Sequence, residues 1–171
     1  MNVKITDLLL AEVDREAAGT RKALERVPAN MSWKPHSKSM SLGQLAGLTA
    51  TMIGWIELII KQDELDLAPV DGPKYEDPQM NTSAELVHAL DEAVAKAKSA
   101  LQSTDDDFLI NTRWQLKVAG KVVDDSPRYE AIREAVLNHL AHHRGQLTVY
   151  LRLNDASVPA IYGGSADEKG W

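Results

Sequence analysis

The sequence predicts an all-α fold, a four-helix bundle, on three observations. Apolar residues recur at helical spacing in four long segments, two of those segments open on capping-box patterns, and a proline-rich connector separates the second from the third. Four such amphipathic helices bury their stripes against one another. The connector, residues 63–81, extends to about 60 Å, twice the ~30 Å of a twenty-residue helix, so helices two and three are free to run parallel.

Helix one is expected from about Thr6 to Arg26. Leu8, Leu9, Val13, Ala17, Leu24 and Val27 form its stripe, Arg15, Arg21, Lys22 and Arg26 its wet face, and Pro28 stops it. Residues 28–40 are a connector in which Trp33 packs over the bundle end. Helix two is announced by Ser41-Leu42-Gly43-Gln44, where the serine hydroxyl and the glutamine side chain each satisfy a free backbone group. It continues through Leu45, Leu48, Met52, Trp55 or Ile56, and Ile59 to about Gln62. Pro69, Gly72, Pro73 and Pro78 mark the following stretch as a loop. Helix three opens on Thr82-Ser83-Ala84-Glu85 and buries Leu86, Val87, Leu90, Val94, Ala97 and Leu101, with His88 on the surface. Thr104-Asp105-Asp106-Asp107 reads as a solvated turn, since it lacks an EF-hand ligand pattern.

Alternation on either side of Ala119-Gly120 reads as a short hairpin or an extended arm over Arg113–Asp124. Helix four spans Ser126–Asp155, with Ser126 as cap and Pro127 at the first helical position. Its stripe is Ile132, Val136, Leu140, His143, Leu147 and Leu151. The tail keeps Val158, Ile161 and Tyr162, apolar enough to fold back on the helices.

Composition narrows the function. The 171 residues suit one domain, residues 1–171, with a proper core. A net charge of −6 with scattered basic residues makes nucleic acid a poor partner. The absence of cysteine removes disulfides, a thiol nucleophile and thiolate ligands together. The N-terminal residues carry no signal segment, and the apolar run Met52–Ile60 is too short to span a bilayer, so no membrane role and a cytoplasmic location are expected.

Three of the five histidines fall in helix four, at positions 139, 142 and 143. His139 and His143 are one helical turn apart on one face and can share a transition metal, while His142 points about 100° away. Zn or Ni suits imidazole donors. Alternatively, the pair hydrogen-bonds to Gln44, Tyr150, Tyr162 or water and holds no ion. Leu48, Met52 and Trp55 on helix two would then supply the apolar wall of a small-ligand pocket.

Lys34-Pro35-His36-Ser37-Lys38-Ser39-Met40-Ser41-Leu42-Gly43-Gln44-Leu45-Ala46, Asn138-His139-Leu140-Ala141-His142-His143-Arg144-Gly145-Gln146-Leu147 and the tail from Val158 to Glu168 resemble the DinB/YfiT-like superfamily over nearly the whole chain. The resemblance implies an up-down-down-up four-helix bundle, frequently a homodimer, and in many members a divalent metal on three histidines. His139 and His143 match two of these. The third place, on helix two, aligns with Leu48, which cannot ligate, so the implied site is incomplete. His36 is a substitute ligand by position only.

Two functions follow. One is a DinB-like protein with a degenerate two-histidine metal or small-ligand pocket bordered by Gln44, Leu48, Met52, Trp55, His142, Tyr150 and Tyr162. The other, implied by family relatives, is a metal-dependent transferase or isomerase that uses a low-molecular-weight thiol, with Arg144 or His142 orienting an anionic substrate.

Overall fold

A computed structural model describes residues 3–71 and 79–169. Most of the described chain is helical. The elements are α1 (Ile5–Leu24), α2 (Leu42–Thr51), α3 (Trp55–Lys61), β1 (Glu64–Asp66), α4 (Ser83–Gln102), α5 (Asp106–Asn111), β2 (Arg113–Val118), β3 (Lys121–Pro127), α6 (Arg128–Ala131) and α7 (His139–Leu153). A 3-10 turn over Met52–Gly54 joins α2 to α3, and a π-helical segment over Ile132–Asn138 joins α6 to α7.

Each long helix forms for the reasons its sequence gives. At α2 both halves of the capping box are made: Gln44 N–H donates to Ser41 Oγ at 3.2 Å, and Gln44 Oε1 accepts from Ser41 N–H at 2.9 Å. At α4 the Thr82 hydroxyl accepts from Glu85 N–H, but Glu85 reaches one residue further back, to Asn81 N–H. The buried faces of α1, α2, α3, α4, the π segment and α7 meet in one core around Leu9, Leu45, Ile56, Leu90, Val136 and Leu147. Helix α4 packs on α1, α2 and α3, while α7 packs on α1 and α2.

Joined through the 3-10 turn, Leu42–Lys61 is twenty residues and apolar enough by composition to cross a membrane, unlike the shorter run expected from sequence. Its burial explains the composition: Leu42, Leu45, Met52, Ile53, Ile56 and Ile59 lie at 0–1 % exposure inside the protein.

Several expectations need correction. Leu8 is 58 % exposed and off the α1 stripe; Glu16 and Thr20 are buried there instead. Residues 63–81 are not all loop, because β1 pairs in parallel with β2, Glu64 opposite Gln115. Residues 72–78, with Gly72, Pro73 and Pro78, lie outside the described residues. The Asp105-Asp106-Asp107 run builds a helix: Asp105 caps α5 through Phe108 N–H at 2.8 Å. Asp106 accepts from the Ile5 and Thr6 N–H groups at 2.9 and 3.1 Å, closing the start of α1. Those backbone donors, Ile5 first, hold its carboxyl below the usual range.

The hairpin forms as expected, with Ala119 and Gly120 at φ 52° and 75°, the left-handed pair that a tight two-residue turn requires. Its second strand runs on to Pro127, so Ser126 is a strand residue bonded to Asp124, and Pro127 occupies the cap position of α6. Helix four therefore begins later than expected.

The tail folds back. Asp167 accepts from Val158 N–H at 2.7 Å and pairs with Arg152; Glu168 accepts from Ala160 N–H at 2.9 Å and pairs with Arg26. Ser165 Oγ donates to Val158 O and accepts from the N–H groups of Asp167 and Glu168.

Candidate functional site

The three helix-four histidines come together at the start of α7. The π segment ends at Asn138, so His139 is the first residue after it. The expected stripe is kept through it: Ile132, Val136, Leu140, His143, Leu147 and Leu151 are all buried, and Leu137 and Arg144 widen the buried face by one residue.

The His139 and His143 rings lie 4.5 Å apart centre to centre, His142 and His143 5.1 Å, His139 and His142 6.3 Å. His143 is buried, His139 half-buried and His142 exposed. Gln146, one turn on, fixes two of the rings. Its Oε1 faces His143 Nδ1 at 2.8 Å and its Nε2 faces His142 Nε2 at 3.0 Å. An amide oxygen only accepts and an amide nitrogen only donates, so His143 carries its proton on Nδ1 and presents Nε2 as a lone pair. His142 spends its Nε2 lone pair on the amide, which leaves its Nδ1 protonated. Burial pushes the His143 pKa down, and the neighbouring imidazoles add to this, against the Gln146 bond. The shift favours the neutral ring.

Two imidazoles on one tetrahedral ion, with metal–nitrogen bonds of about 2.0 Å, have ring centres about 5 Å apart. The His139–His143 spacing is close to that, and the bond from the far nitrogen of His143 to Gln146 is the kind that orients metal-bound histidines. The donor set stops there. Among the described residues no three His, Cys, Asp or Glu side chains converge as ligands. Leu48, on α2, is half-buried against the core and offers only carbon. The residues present therefore do not fit a three-histidine centre.

The other expected site residues are dispersed. Gln44 is exposed and committed to its own capping box. Met52 is fully buried in the core. Trp55, turned by the 3-10 segment, lines a groove against α4 with Thr51, Ala89 and Ala93. Tyr150 stacks edge-on with Trp33 at 5.4 Å and donates to Met40 O at 3.3 Å, closing the bundle end. His36 stays in the exposed connector, its Nδ1 accepting from Lys38 N–H.

Arg144 faces inward rather than toward a substrate. At 1 % exposure it donates to the Glu16 carboxylate at 2.6 Å, to Glu16 O at 3.0 Å, to Thr20 Oγ1 at 3.1 Å and to the Tyr162 hydroxyl. Tyr162 in turn donates to Glu16 at 2.6 Å and lays its ring 4.9 Å from the guanidinium. Desolvation of the hydroxyl and its Glu16 contact push the tyrosine pKa up, although the residue as a whole is 70 % exposed. Glu16 was missed in the sequence, although a carboxylate three residues from Val13 on a core-facing stripe is itself a sign of a buried partner.

The DinB family model matches residues 1–169. The chain belongs to the DinB family. Three solved structures share the fold. A DinB-like protein from Bacillus cereus is 23 % identical with a TM-score of 0.70, covering 95 % of this chain and 100 % of its own. A DinB-like protein from Bacillus subtilis is 19 % identical at 0.65, covering 89 % and 96 %. One described as a DinB family member, from Exiguobacterium sibiricum, is 23 % identical at 0.59, covering 90 % and 95 %. No functionally curated protein matches. At such identities the likeness extends to the fold of this DinB-family chain alone.

Proposed function

We propose that this DinB-family chain is an up-down-down-up four-helix bundle, cytoplasmic and homodimeric, whose metal centre has lost one ligand. His139 and His143 remain, and Leu48 stands at the place of the third. The site then serves as a weak two-imidazole site for Zn or Ni, or as a small-ligand site, and not as a catalytic metal centre. One observation carries this reading: the His143 ring, oriented by Gln146, stands 4.5 Å centre to centre from the His139 ring, with no third ligand converging among the described residues. A metal-dependent thiol transferase or isomerase requires an ion held firmly enough to keep the cofactor thiol ionised. This donor set does not fit that requirement, and no reaction is derived through it.

The test is Zn²⁺ and Ni²⁺ affinity of tag-free protein by competition with a chromogenic chelator. Leu48→His should tighten binding about tenfold or more by completing three protein ligands, and His139→Ala should abolish the gain. Unchanged affinity in Leu48→His would place Leu48 away from the pair and overturn the reading. A stoichiometric ion retained by the natural sequence through dialysis would overturn the degenerate site.

A further inference from the structure

We propose that the groove between α3 and α4 binds an organic cation with an apolar body. The groove encloses about 510 Å³, within the size range of small-molecule sites, and shares no residue with the histidine cluster. Its floor is carbon: Gly54, Trp55 and Leu58 from one side, Ala89 and Ala93 from α4, Met80 at the end. Gly54 and Ala93 close the bottom of the groove, where the two helices come into contact: a side chain on Gly54 would begin 3.4 Å from the Ala93 methyl group.

The rim sets the sign of the charge. Glu57, Glu85 and Glu92 all border the groove, and Lys96 is the only lysine or arginine among the described residues lining it. Glu57 is already matched by Lys61 at 2.6 Å. Glu85 is matched only by the Asn81 N–H at 2.7 Å, and Glu92 only by His88 at 3.6 Å; among the described residues neither pairs with a lysine or arginine. Two carboxylates over an apolar floor attract a cation with a hydrophobic body, and the net charge of −6 on the chain works against the equivalent anion.

Tetraphenylphosphonium and tetraphenylborate test this directly, because they share size and shape and differ in sign. Titrated calorimetrically into the full chain, the cation should bind at least tenfold more tightly than the anion. Each surface carboxylate accounts for about threefold, so the E85Q/E92Q double variant should weaken the cation about tenfold and leave the anion unchanged or improved. Both glutamates are exposed, so these variants fold. Ala89→Trp, checked by its melting curve, should fill the groove and block binding. Equal affinity for the two ions, no cation binding at millimolar concentration, or an E85Q/E92Q variant that binds the cation as before would each overturn the proposal. A dimer that Ala89→Trp dissociates, without cation uptake by the natural sequence, would make the groove a self-association surface and also overturn it. Loss of cation binding in His139→Ala with E85Q/E92Q silent would move the ligand to the histidines.

Discussion

Removing the Glu16 carboxylate should destabilise the protein more than any surface change. Arg144 and Glu16 are 1 % and 6 % exposed, and the guanidinium draws two of its four acceptors from Glu16. Glu16→Ala leaves Thr20 Oγ1, Glu16 O and the Tyr162 hydroxyl to hold a charge that has no counter-ion. Breaking one side of a buried ion pair costs about 3–5 kcal/mol. For a chain of this length, a loss of about 1 kcal/mol lowers Tm by about 2–4 °C, so Glu16→Ala should melt about 10 °C lower.

The double variant Glu16→Leu, Arg144→Met decides the origin of that loss. It removes both charges and keeps the volume, and such replacements are close to neutral, within about 1–2 kcal/mol of the starting protein. Urea unfolding followed by far-UV circular dichroism gives both values, and with the single Glu16→Leu and Arg144→Met variants the cycle gives a coupling energy. A Glu16→Ala loss below about 1 kcal/mol, or a double variant as unstable as the sum of the single ones, would refute the buried pair. Tyr162→Phe should cost about 1 kcal/mol through its hydroxyl bonds, which ties the tail to the same cluster.

Arg128→Met should cost about 2–4 kcal/mol in the same urea assay. The buried guanidinium donates to Ile59 O, to Gln62 O at 2.6 Å and to Thr112 Oγ1 at 2.8 Å, so its loss strands carbonyls at the end of α3; a loss under about 0.5 kcal/mol would show that water replaces it. The tail should come loose in acid. The Arg152 bond holds the Asp167 carboxyl low and the Ala160 N–H does the same for Glu168, so their contribution is complete above the ordinary carboxylate value near 4 and is lost as pH falls through the lowered values. Hydrogen exchange over residues 156–169 should rise below about pH 4, and an Asp167→Asn, Glu168→Gln variant should show the raised exchange already at pH 7. Exchange in that variant matching the natural sequence at pH 7 would remove the carboxylates from the clamp.

What the sequence disclosed, it disclosed through chemistry that acts locally. Ser41 with Gln44 and Thr82 with Glu85 state a helix start in four residues, and the Leu86-to-Leu101 stripe states a buried face in sixteen. Ala119-Gly120 likewise states its turn. Long-range pairing hid the rest. Glu64-Leu65-Asp66 is too short to declare a strand until β2 lies beside it. Asp106 looks solvated until the N–H groups of Ile5 and Thr6, a hundred residues away in sequence, turn toward it. The π segment leaves no mark in Ile132–Asn138, where every residue also suits an α-helix, and the inward turn of Arg144 declares itself only through Glu16, 128 residues away in sequence.

That concealed turn bears on why the histidine pair keeps its form. Arg144 is bolted to Glu16 on α1, and this fixes the rotation of α7 about its own axis. His143 is the preceding residue on the same rigid turn, so it must point along the adjacent inward direction whether or not an ion is present. Gln146 then fixes the ring. Burial in a core helix, one amide bond and one ion pair to α1 are together sufficient to hold the imidazole in a ligand-like pose. The pose of His143 is therefore a consequence of packing, and it holds whichever residue stands at position 48.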